Sequence, residues 1–471
     1  MDKKVEVAIV GAGTGGLSAL REVRKVTESF VLINGGPYGT TCARVGCMPS
    51  KALIQVANDF HRRRVLSGMG IQNGERLTVN IPQVLLHVRS LRDRFVGGVM
   101  KSLDGLGEHN LEGYARFVEP HVLKVGDGTV QADKIILATG SRPNIPAGWQ
   151  PFASSLLTSE NIFEQEDLPR TMGVVGLGII GLELGQALHG LGIDTTLVGR
   201  SALIGGLTDP EVNGYAVAAM KREMDFHPGY EAGVEPEGTS FRLSFGSRSV
   251  LVDGVLAAIG RRPNLEGLEL EKLGVSLDER GLPAFDTRTM QLENLPIFLA
   301  GDLNGERPIL HEAADEGRIA GYNSVRAEPS AFSRRARLNI TFSHPNIAVT
   351  GRSFRDLEKD GYLTGEVQFD GQGRSLVMAE NCGYLRVYGE TGSGRLLGAE
   401  MIAPAGEHLA HLLSWAIQKR MTAFEALELP FYHPVVEEGL RTALRDLAAK
   451  VHPGKEFELP LCGESGVECL S

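Results

Sequence analysis

The sequence is poor in cysteine, in long hydrophobic runs and in positive charge. Five cysteines in 471 residues are too few for a secreted scaffold held together by disulfides. No apolar stretch approaches the roughly 20 residues of a membrane-spanning helix, and residues 1–4 lead into a strand-like run without a secretory signal. The net charge of −10 argues against nucleic acid or an anionic membrane as a partner. We therefore expect a cytoplasmic globular protein, in which paired cysteines are more often catalytic than structural.

The remaining composition is that of an ordinary globular protein. Hydrophobic residues make up 42% of the chain and charged residues 23%, and the length suggests roughly three domains. The spacings typical of zinc sites, Cys-x-x-Cys and His-Glu-x-x-His, do not occur. We therefore predict no metal site.

A glycine-rich turn follows the first apolar run of the chain. It has the form Gly-x-Gly-x-x-Gly, with its glycines at Gly11, Gly13 and Gly16, and it precedes a helical pattern at 17–26 and an apolar strand at 30–34. Glycines in such a turn let the backbone approach a pyrophosphate, which lies at the helix N-terminus, where free N–H groups favour negative charge. The pattern predicts a Rossmann-like dinucleotide site.

The same unit recurs later in the chain. Its glycines are Gly176, Gly178 and Gly181, and its second strand ends at Gly199, just as the first unit's second strand ends at Asn34. One such turn is weak evidence, but two turns with matching strands and helices are strong evidence. Two tight turns without a ligand are the alternative. Two sites imply two dinucleotides, an arrangement suited to passing electrons between a nicotinamide and a flavin.

Neither second strand ends in the acid that usually holds a ribose 2′-hydroxyl. Asn34 can still bind a ribose through its amide group. At the second site Gly199 is followed by Arg200, and a guanidinium without a neighbouring carboxylate suits a ribose 2′-phosphate. This favours NADP(H). The alternative is that Arg200 is a solvated surface charge and that NAD(H) binds through other groups.

Two cysteines, Cys42 and Cys47, lie five positions apart beyond the first turn. In a regular helix, residues five apart are separated by about 7.5 Å along the axis, whereas a disulfide needs Cα atoms about 4.4–6.8 Å apart. If the two cysteines pair, the segment cannot be a straight helix throughout, and Gly46 makes a local distortion easier. A bond closing so small a loop would be strained and reducible. The spacing alone leaves open two reduced cysteines in the core.

Several motifs together resemble those of the pyridine nucleotide-disulfide oxidoreductases, a family that includes dihydrolipoamide dehydrogenase, glutathione reductase and mercuric reductase. The resemblance covers most of the chain and is greatest to dihydrolipoamide dehydrogenase. Besides the two glycine turns, the motifs that carry it are Cys42-x4-Cys47-x-Pro49-Ser50-Lys51, Ala138-Thr139-Gly140, Gly260-Arg261-Arg262-Pro263-Asn264, Ala300-Gly301-Asp302 and His433-Pro434-x-x-x-Glu438.

The resemblance implies an α/β fold with two Rossmann-like dinucleotide-binding domains and a C-terminal α+β dimerisation domain. Residues 1–148 would bind FAD and carry the redox-active disulfide, and residues 149–268 would bind NAD(P). Residues 269–340 would return to the flavin as a second FAD-binding, central segment. Residues 341–471 would form the interface of a homodimer.

The resemblance also implies roles for the cysteines and the glycine motifs. Cys47 would face the flavin and form a charge-transfer thiolate, and Cys42 would be the thiol that attacks the substrate. The positions implied for cofactor binding are Gly11, Gly13, Gly16, Asn34, Thr41, Thr139, Gly140, Gly176, Gly178, Gly181, Arg200, Gly260 and Asp302.

Four further residues would complete the catalytic machinery. The resemblance implies that His433 acts as an acid–base supplied by the other subunit and that Glu438 orients it. Lys51 and Glu183 would pair near the flavin N5. Because proline fits the first position of a helix, Pro434 places His433 at a helix N-cap.

Details within the family point to different substrates. Pro49-Ser50-Lys51 resembles both dihydrolipoamide dehydrogenase and mercuric reductase, whereas the histidine favours a dithiol, either small or on a lipoyl carrier protein. Residues 197–203 instead resemble the NADPH segment of mercuric reductase. The alternative is therefore an NADPH-dependent reductase of mercuric ion or another disulfide, using Cys462 and Cys469 of the tail. A loose tail with incidental cysteines is the simpler explanation. A further alternative, from another class of function, is a flavoprotein without catalytic activity that serves as a binding or scaffolding subunit of a complex.

Overall fold

The first part of the chain forms a largely parallel sheet around its first apolar strand. The computed structural model describes residues 2–357 and 361–453. The elements of the first part are β1 (Lys3–Val10), α1 (Thr14–Val23), β2 (Phe30–Asn34), α2 (Thr41–Arg44), α3 (Cys47–His61), α4 (Arg63–Leu66), α5 (Ile81–Lys101), β3 (Asn110–Glu112), β4 (Ala115–Glu119), β5 (Val122–Val125), β6 (Gly128–Leu137) and β7 (Ser141–Pro143). The strand order is β3-β2-β1-β6-β5-β4. The second half of β1 (residues 7–10) and the first four residues of β2 are buried, continuous apolar runs, because parallel strands are covered on both faces.

The second part repeats the strand–turn–helix–strand unit in a smaller parallel sheet. Its elements are β8 (Thr171–Val175), α6 (Ile179–Gly190), β9 (Asp194–Gly199), α7 (Pro210–Glu223), β10 (Asp225–Pro228), β11 (Ala232–Glu237), β12 (Ser240–Phe245), β13 (Arg248–Val252), β14 (Gly254–Ala257) and β15 (Arg261–Pro263). The parallel order is β10-β9-β8-β14, with β11, β12 and β13 as a separate antiparallel sheet. Strand β15 pairs with β7 and thereby ties the two parts together.

The chain then returns to the first sheet. The elements of this third part are β16 (Ile297–Leu299) and α8 (Leu310–Ser324). Strand β16 pairs in parallel with β6, and α8 packs closely on α1, since a Cβ at Gly317 would lie 2.1 Å from the carbonyl oxygen of Gly15. This return explains why one binding site can draw residues from distant segments. The boundaries at residues 148, 268 and 340 stay predictions.

The C-terminal part is a five-stranded antiparallel sheet with helices on it. Its elements are β17 (Leu338–Thr341), β18 (Asn346–Gly351), β19 (Tyr362–Gln368), α9 (Gly373–Met378), β20 (Tyr384–Glu390), β21 (Leu396–Ala403), α10 (Gly406–Gln418), α11 (Ala423–Leu427) and α12 (Glu437–Val451). The strand order is β17-β18-β21-β20-β19. With this α+β part, the predicted fold class is confirmed.

Two kinds of feature are absent from the part of the chain that the structure describes. Across residues 2–357 and 361–453, no helix is both long enough and apolar enough to cross a membrane. Over the same ranges, no three His, Cys, Asp or Glu side chains are grouped so that they could hold a metal ion.

Candidate functional site

The two glycine turns have the same backbone geometry. Gly11 and Gly176 open them with φ angles of 109° and 107°, in the region that disfavours residues with a Cβ. Each also lies against a carbonyl group of a neighbouring strand end. A Cβ at Gly11 would be 2.3 Å from the oxygen of Ala138, and one at Gly176 would be 2.2 Å from that of Ala258. Only glycine fits at either position.

The third glycine of each turn allows the following helix to pack directly against the first glycine of the same turn. A Cβ at Gly16 would lie 1.8 Å from the carbonyl oxygen of Gly11, and a Cβ at Gly181 would lie 1.7 Å from that of Gly176. The helices α1 and α6 therefore begin directly behind their turns. The middle glycines Gly13 and Gly178 are the N-caps of these helices, and a helix N-terminus with its free N–H groups is the arrangement that binds a pyrophosphate.

One cavity of about 1700 Å³ connects the open sides of both turns. The middle glycines Gly13 and Gly178 line it. A Cβ at Gly178 would meet nothing within 4 Å, and one at Gly13 would meet only the oxygen of Ala138, at 4.0 Å. The cavity and the two cradles therefore fit two dinucleotides. Other predicted site residues that line it are Thr41, Cys42, Cys47, Lys51, Gly140, Gly176, Glu183, Arg200, Gly260 and Asp302.

The two predicted ribose contacts differ in their surroundings. The side-chain oxygen of Asn34 accepts a hydrogen bond from Ala12 N–H at 3.1 Å, and its amide donates to the carbonyl of Gly36 at 2.6 Å. The amide oxygen and nitrogen of Asn34, which were predicted to bind a ribose, are therefore hydrogen-bonded to backbone groups and stabilise the first turn. Arg200 is exposed and lines the cavity.

The residues leaving β6 are bound to the segment after β15. Asn264 donates from its side chain to the carbonyl of Thr139 at 2.9 Å, and its own carbonyl accepts from the Thr139 hydroxyl at 2.7 Å. Its backbone N–H donates to the carbonyl of Gly140. These bonds fix the crossing between the first and second parts at the edge of the cavity.

The segment with the two cysteines is interrupted, as a pairing of these cysteines requires. Helix α2 ends at Arg44, and α3 begins at Cys47. Between them, Gly46 has φ −113° and ψ −117°, far from helical values. A Cβ at Gly46 would lie 3.0 Å from the carbonyl of Thr41. Cys42 and Cys47 are both free cysteines in this structure, and both are partly buried.

The two thiols differ in acidity because they interact with each other. The interaction with the Cys42 side chain lowers the pKa of Cys47 to about 7. The positive charge of Lys51 lowers it further, against burial and the charge of Glu183. The same interaction, together with burial, raises the pKa of Cys42. The thiolate of the pair is therefore held on Cys47, at the N-terminus of α3, where the helix dipole also favours it.

Lys51 and Glu183 form an ion pair across the first and second parts. The Lys51 Nζ lies 2.7 Å from Glu183 Oε2. The other carboxylate oxygen accepts from the backbone N–H of Phe342 at 2.9 Å, and Lys51 Nζ lies 4.6 Å from the centre of the Phe342 ring. Three parts of the chain thus meet at this pair, directly beside Cys47.

His433 and Glu438 contact each other at a distance of 3.0 Å between His433 Nδ1 and Glu438 Oε1. This hydrogen bond lowers the pKa of Glu438. The prediction that Pro434 begins the helix was wrong: α12 begins at Glu437, and the His433–Pro434 bond is cis. The reason is that Glu438 turns back to accept the N–H of Val435 at 3.2 Å, so the chain makes a turn before the helix starts.

The histidine does not line the cavity that contains Cys42 and Cys47 of its own chain. Its side chain is 81% exposed. A role in the chemistry at Cys42 therefore requires a second subunit. Cys462 and Cys469 lie outside the described residues.

The sequence analysis did not predict two side chains that hold the Gly301–Asp302 loop in place. The Ser141 hydroxyl donates to Asp302 Oδ2 at 2.7 Å, and Glu316 accepts the N–H of Gly301 at 2.8 Å. Neither belongs to a motif, and their sequence separation from Asp302 gives no periodic signal.

Taken together, the fold and the cavity define a class: an oxidoreductase with two dinucleotide sites and a redox-active cysteine pair between them. Comparison with known families agrees. A sequence model described as pyridine nucleotide-disulphide oxidoreductase matches residues 5–317, and the dimerisation domain of the same family matches residues 338–444. The chain belongs to this family, as the motifs predicted, and FAD and NAD(P) are the cofactors that membership implies. The second match supports a homodimer.

Individual relatives cover nearly the whole chain. A dihydrolipoyl dehydrogenase of Haloferax volcanii is 30% identical, over 95% of this chain and 97% of the relative. A mercuric reductase of Acidithiobacillus ferrooxidans is 27% identical, over 95% and 84%. Among solved structures, LpdA from Mycobacterium tuberculosis has a TM-score of 0.82 at 23% identity, covering 94% of this chain and 99% of that one, which supports the fold.

Proposed function

We propose that the protein is a dihydrolipoamide dehydrogenase-like enzyme that moves two electrons between a dithiol and NAD(P) through Cys42 and Cys47. The observation that carries the proposal is the position of the two thiols, which line the same cavity as both glycine turns. The pKa of Cys47, lowered to about 7, supports its role as the thiolate next to the flavin.

In the oxidative direction, one sulfur of the substrate dithiol attacks Cys42 of the oxidised pair. The Cys42–Cys47 bond breaks, Cys47 leaves as a thiolate, and a mixed disulfide with Cys42 forms. The second substrate sulfur then attacks the first, which releases the cyclic disulfide and the Cys42 thiolate. The substrate loses two protons in this sequence: His433 of the partner subunit would take the proton of the first attacking thiol, and the proton of the second thiol would pass to the departing Cys42 sulfur. Glu438 would hold the histidine ring in place. When bound, FAD would supply a two-electron acceptor for the cysteine pair, and NAD(P)+ would supply a hydride acceptor.

The remaining predicted residues have binding roles in this proposal. Asp302 and the first glycine turn hold FAD, the second turn holds the nicotinamide nucleotide, and the Lys51–Glu183 pair stabilises charge near the flavin N5. A lipoyl group, free or on a carrier protein, is the proposed partner, because relatives of nearly full length are dihydrolipoyl dehydrogenases. A cytoplasmic location remains part of the proposal.

Turnover of dihydrolipoamide by the purified holoenzyme tests this function. We expect turnover with NAD+ or NADP+, its loss in Cys42→Ser and Cys47→Ser, and retention of bound flavin in both variants. No turnover of dihydrolipoamide with either nucleotide would overturn the proposal. Parallel assays with Hg(II) and glutathione disulfide under NADPH would then identify the alternative that the mercuric reductase relative represents.

For the nucleotide, we propose NADP(H), on the basis of Arg200. Its guanidinium lies at the cavity, and the strand before it ends in Gly199 without a carboxylate. Arg200→Ala should weaken NADP(H) binding about tenfold or more, as expected for a lost charge-assisted hydrogen bond of about 1.5–3 kcal/mol, and leave NAD(H) binding unchanged. Dissociation constants for both nucleotides, measured by isothermal titration, check this. An equal loss of affinity for both nucleotides would show that Arg200 contacts a group that they share, and no change for either would show that it is a solvated charge. Both results would overturn the proposal.

A further inference from the structure

A buried ion network lies behind the Gly301–Asp302 loop, and none of the steps above uses it. Glu312 and Glu316 lie one turn apart on α8 and are 3% and 0% exposed. Carboxylates at this spacing repel each other, and two buried charges of one sign are costly without a counter-charge. Arg334 supplies that counter-charge, with Nη2 2.6 Å from Glu312 Oε2 and 2.8 Å from Glu316 Oε1.

The two glutamates use their remaining oxygen atoms differently. The second oxygen of Glu316 accepts the N–H of Gly301 at 2.8 Å and the side-chain amide of Asn304 at 2.7 Å. These two donors lie on either side of Asp302, at the start and the end of one tight turn. Glu312 instead pairs with Arg307, at 3.0 Å and further along the loop. Only Glu316 therefore holds both flanks of Asp302.

Helix α8 also fixes where this loop lies relative to the first glycine turn. Its residue Gly317 packs against the carbonyl of Gly15, and a Cβ at Gly15 would lie 3.3 Å from the carbonyl oxygen of Ala300. The turn and the loop therefore touch each other, and α8 contacts both. Since Gly13 and Asp302 line the same cavity, a shift of the loop changes the distance between the two predicted contacts for FAD.

We propose that Glu316 is a positioning residue for FAD: it acts through Asp302, which it holds in register with the first glycine turn, and Arg334 is its counter-ion. The inference rests on the proposed role of Asp302 in binding FAD. Burial without Arg334 would raise the cost of keeping Glu316 ionised, and an uncharged side chain would accept a weaker hydrogen bond from Gly301.

The isosteric variants Glu316→Gln and Glu312→Gln form a matched pair. Each removes one charge next to Arg334 on the same helix, but only Glu316→Gln disturbs the acceptor shared by Gly301 and Asn304. We expect the dissociation constant of FAD from the holoenzyme, measured by the fluorescence of released FAD on dilution, to rise about tenfold in Glu316→Gln, which corresponds to about 1.4 kcal/mol. In Glu312→Gln we expect a change of less than threefold.

Amide hydrogen exchange gives a second measurement that does not depend on flavin release. Exchange at residues 301–304 of the holoenzyme should be faster in Glu316→Gln and unchanged in Glu312→Gln. If the two variants change the FAD dissociation constant and the amide exchange rates to the same degree, the ion network only stabilises α8 as a whole, and the proposal is overturned.

A double-mutant cycle with Asp302→Asn tests whether Glu316 acts through Asp302. We expect Asp302→Asn to weaken FAD binding and the double variant with Glu316→Gln to bind no more weakly than Asp302→Asn alone. Additive effects would overturn the proposed action through Asp302. An Asp302→Asn variant with unchanged FAD affinity would instead overturn the role of Asp302 itself, so the two failures can be told apart.

Discussion

At the scale of the residue, the acidity of Cys47 is set first by its interaction with the Cys42 side chain, then by burial and by two charges of opposite sign. Lys51 lowers the pKa of this thiol and Glu183 raises it, around a value of about 7. The two charges belong to one ion pair, with 2.7 Å between Nζ and Oε2. The ion pair is therefore neutral as a whole, but each of its two charges shifts the pKa of Cys47.

Removing either charge should move the pKa of Cys47 in opposite directions. Lys51→Met removes the stabilising charge, so the pKa should rise and the thiolate should persist only at higher pH. Glu183→Gln removes the destabilising charge, so the pKa should fall and the thiolate should persist to lower pH. The long-wavelength absorbance of the anaerobically reduced holoenzyme, which reports a thiolate against the flavin, should have its pH midpoint near 7 in the parent.

The flavin content of each variant serves as the control for this titration. Shifts in the same direction for Lys51→Met and Glu183→Gln would contradict the assignment of the two charges, since a general loosening of the site would move both alike.

At the scale of the element, the glycines of the two βαβ units have different roles: one allows close packing of the backbone, and another leaves space for the ligand. Gly181 allows α6 to begin against Gly176, whereas Gly178 only leaves room in front of the helix. Gly178→Ala should therefore fold with the melting temperature of the parent and retain FAD, but weaken nicotinamide-nucleotide binding about tenfold or more, because its methyl group occupies the space of the pyrophosphate.

Gly181→Ala is the matched contrast. Its Cβ would lie 1.7 Å from the Gly176 carbonyl, so the turn itself must move, and we expect a lower melting temperature as well as lost nucleotide binding. Differential scanning calorimetry and titration with the nucleotide separate the two cases. A Gly178→Ala variant as unstable as Gly181→Ala would mean that the middle glycine is structural.

The elements also show how far the sequence predicts this molecule. Both glycine turns and the interruption between Cys42 and Cys47 were predictable because each is a local requirement of backbone geometry. The start of α12 could not be predicted, because a proline is compatible both with the first turn of a helix and with the turn that precedes it. The hydrogen bond from Val435 N–H to the Glu438 carboxylate fixes the second arrangement. The contact of Arg334 with Glu316 was not predictable either, since only the packing of α8 brings the two together.

At the scale of the whole molecule, one chain does not complete the proposed reaction. His433 is exposed and lies away from the cavity that holds Cys42. Large apolar side chains of the same C-terminal part are also exposed: Tyr432 is 80% exposed, Leu429 52% and Trp415 65%. Exposed apolar patches of this kind mark interfaces, and the family's dimerisation domain covers this region. A dimer would bury the patch and bring His433 of the partner subunit to the thiols.

Subunit complementation tests whether the acid–base comes from the partner. Homodimers of Cys47→Ser and of His433→Gln should each be inactive with dihydrolipoamide. After subunit exchange, a mixed dimer pairs the intact cysteines of one chain with the intact histidine of the other, which gives one working site. Random exchange makes about half of the dimers mixed, so roughly a quarter of the parental turnover should return. If the histidine acted on the cysteines of its own chain, every site would lack one of the two groups, and mixing would restore nothing.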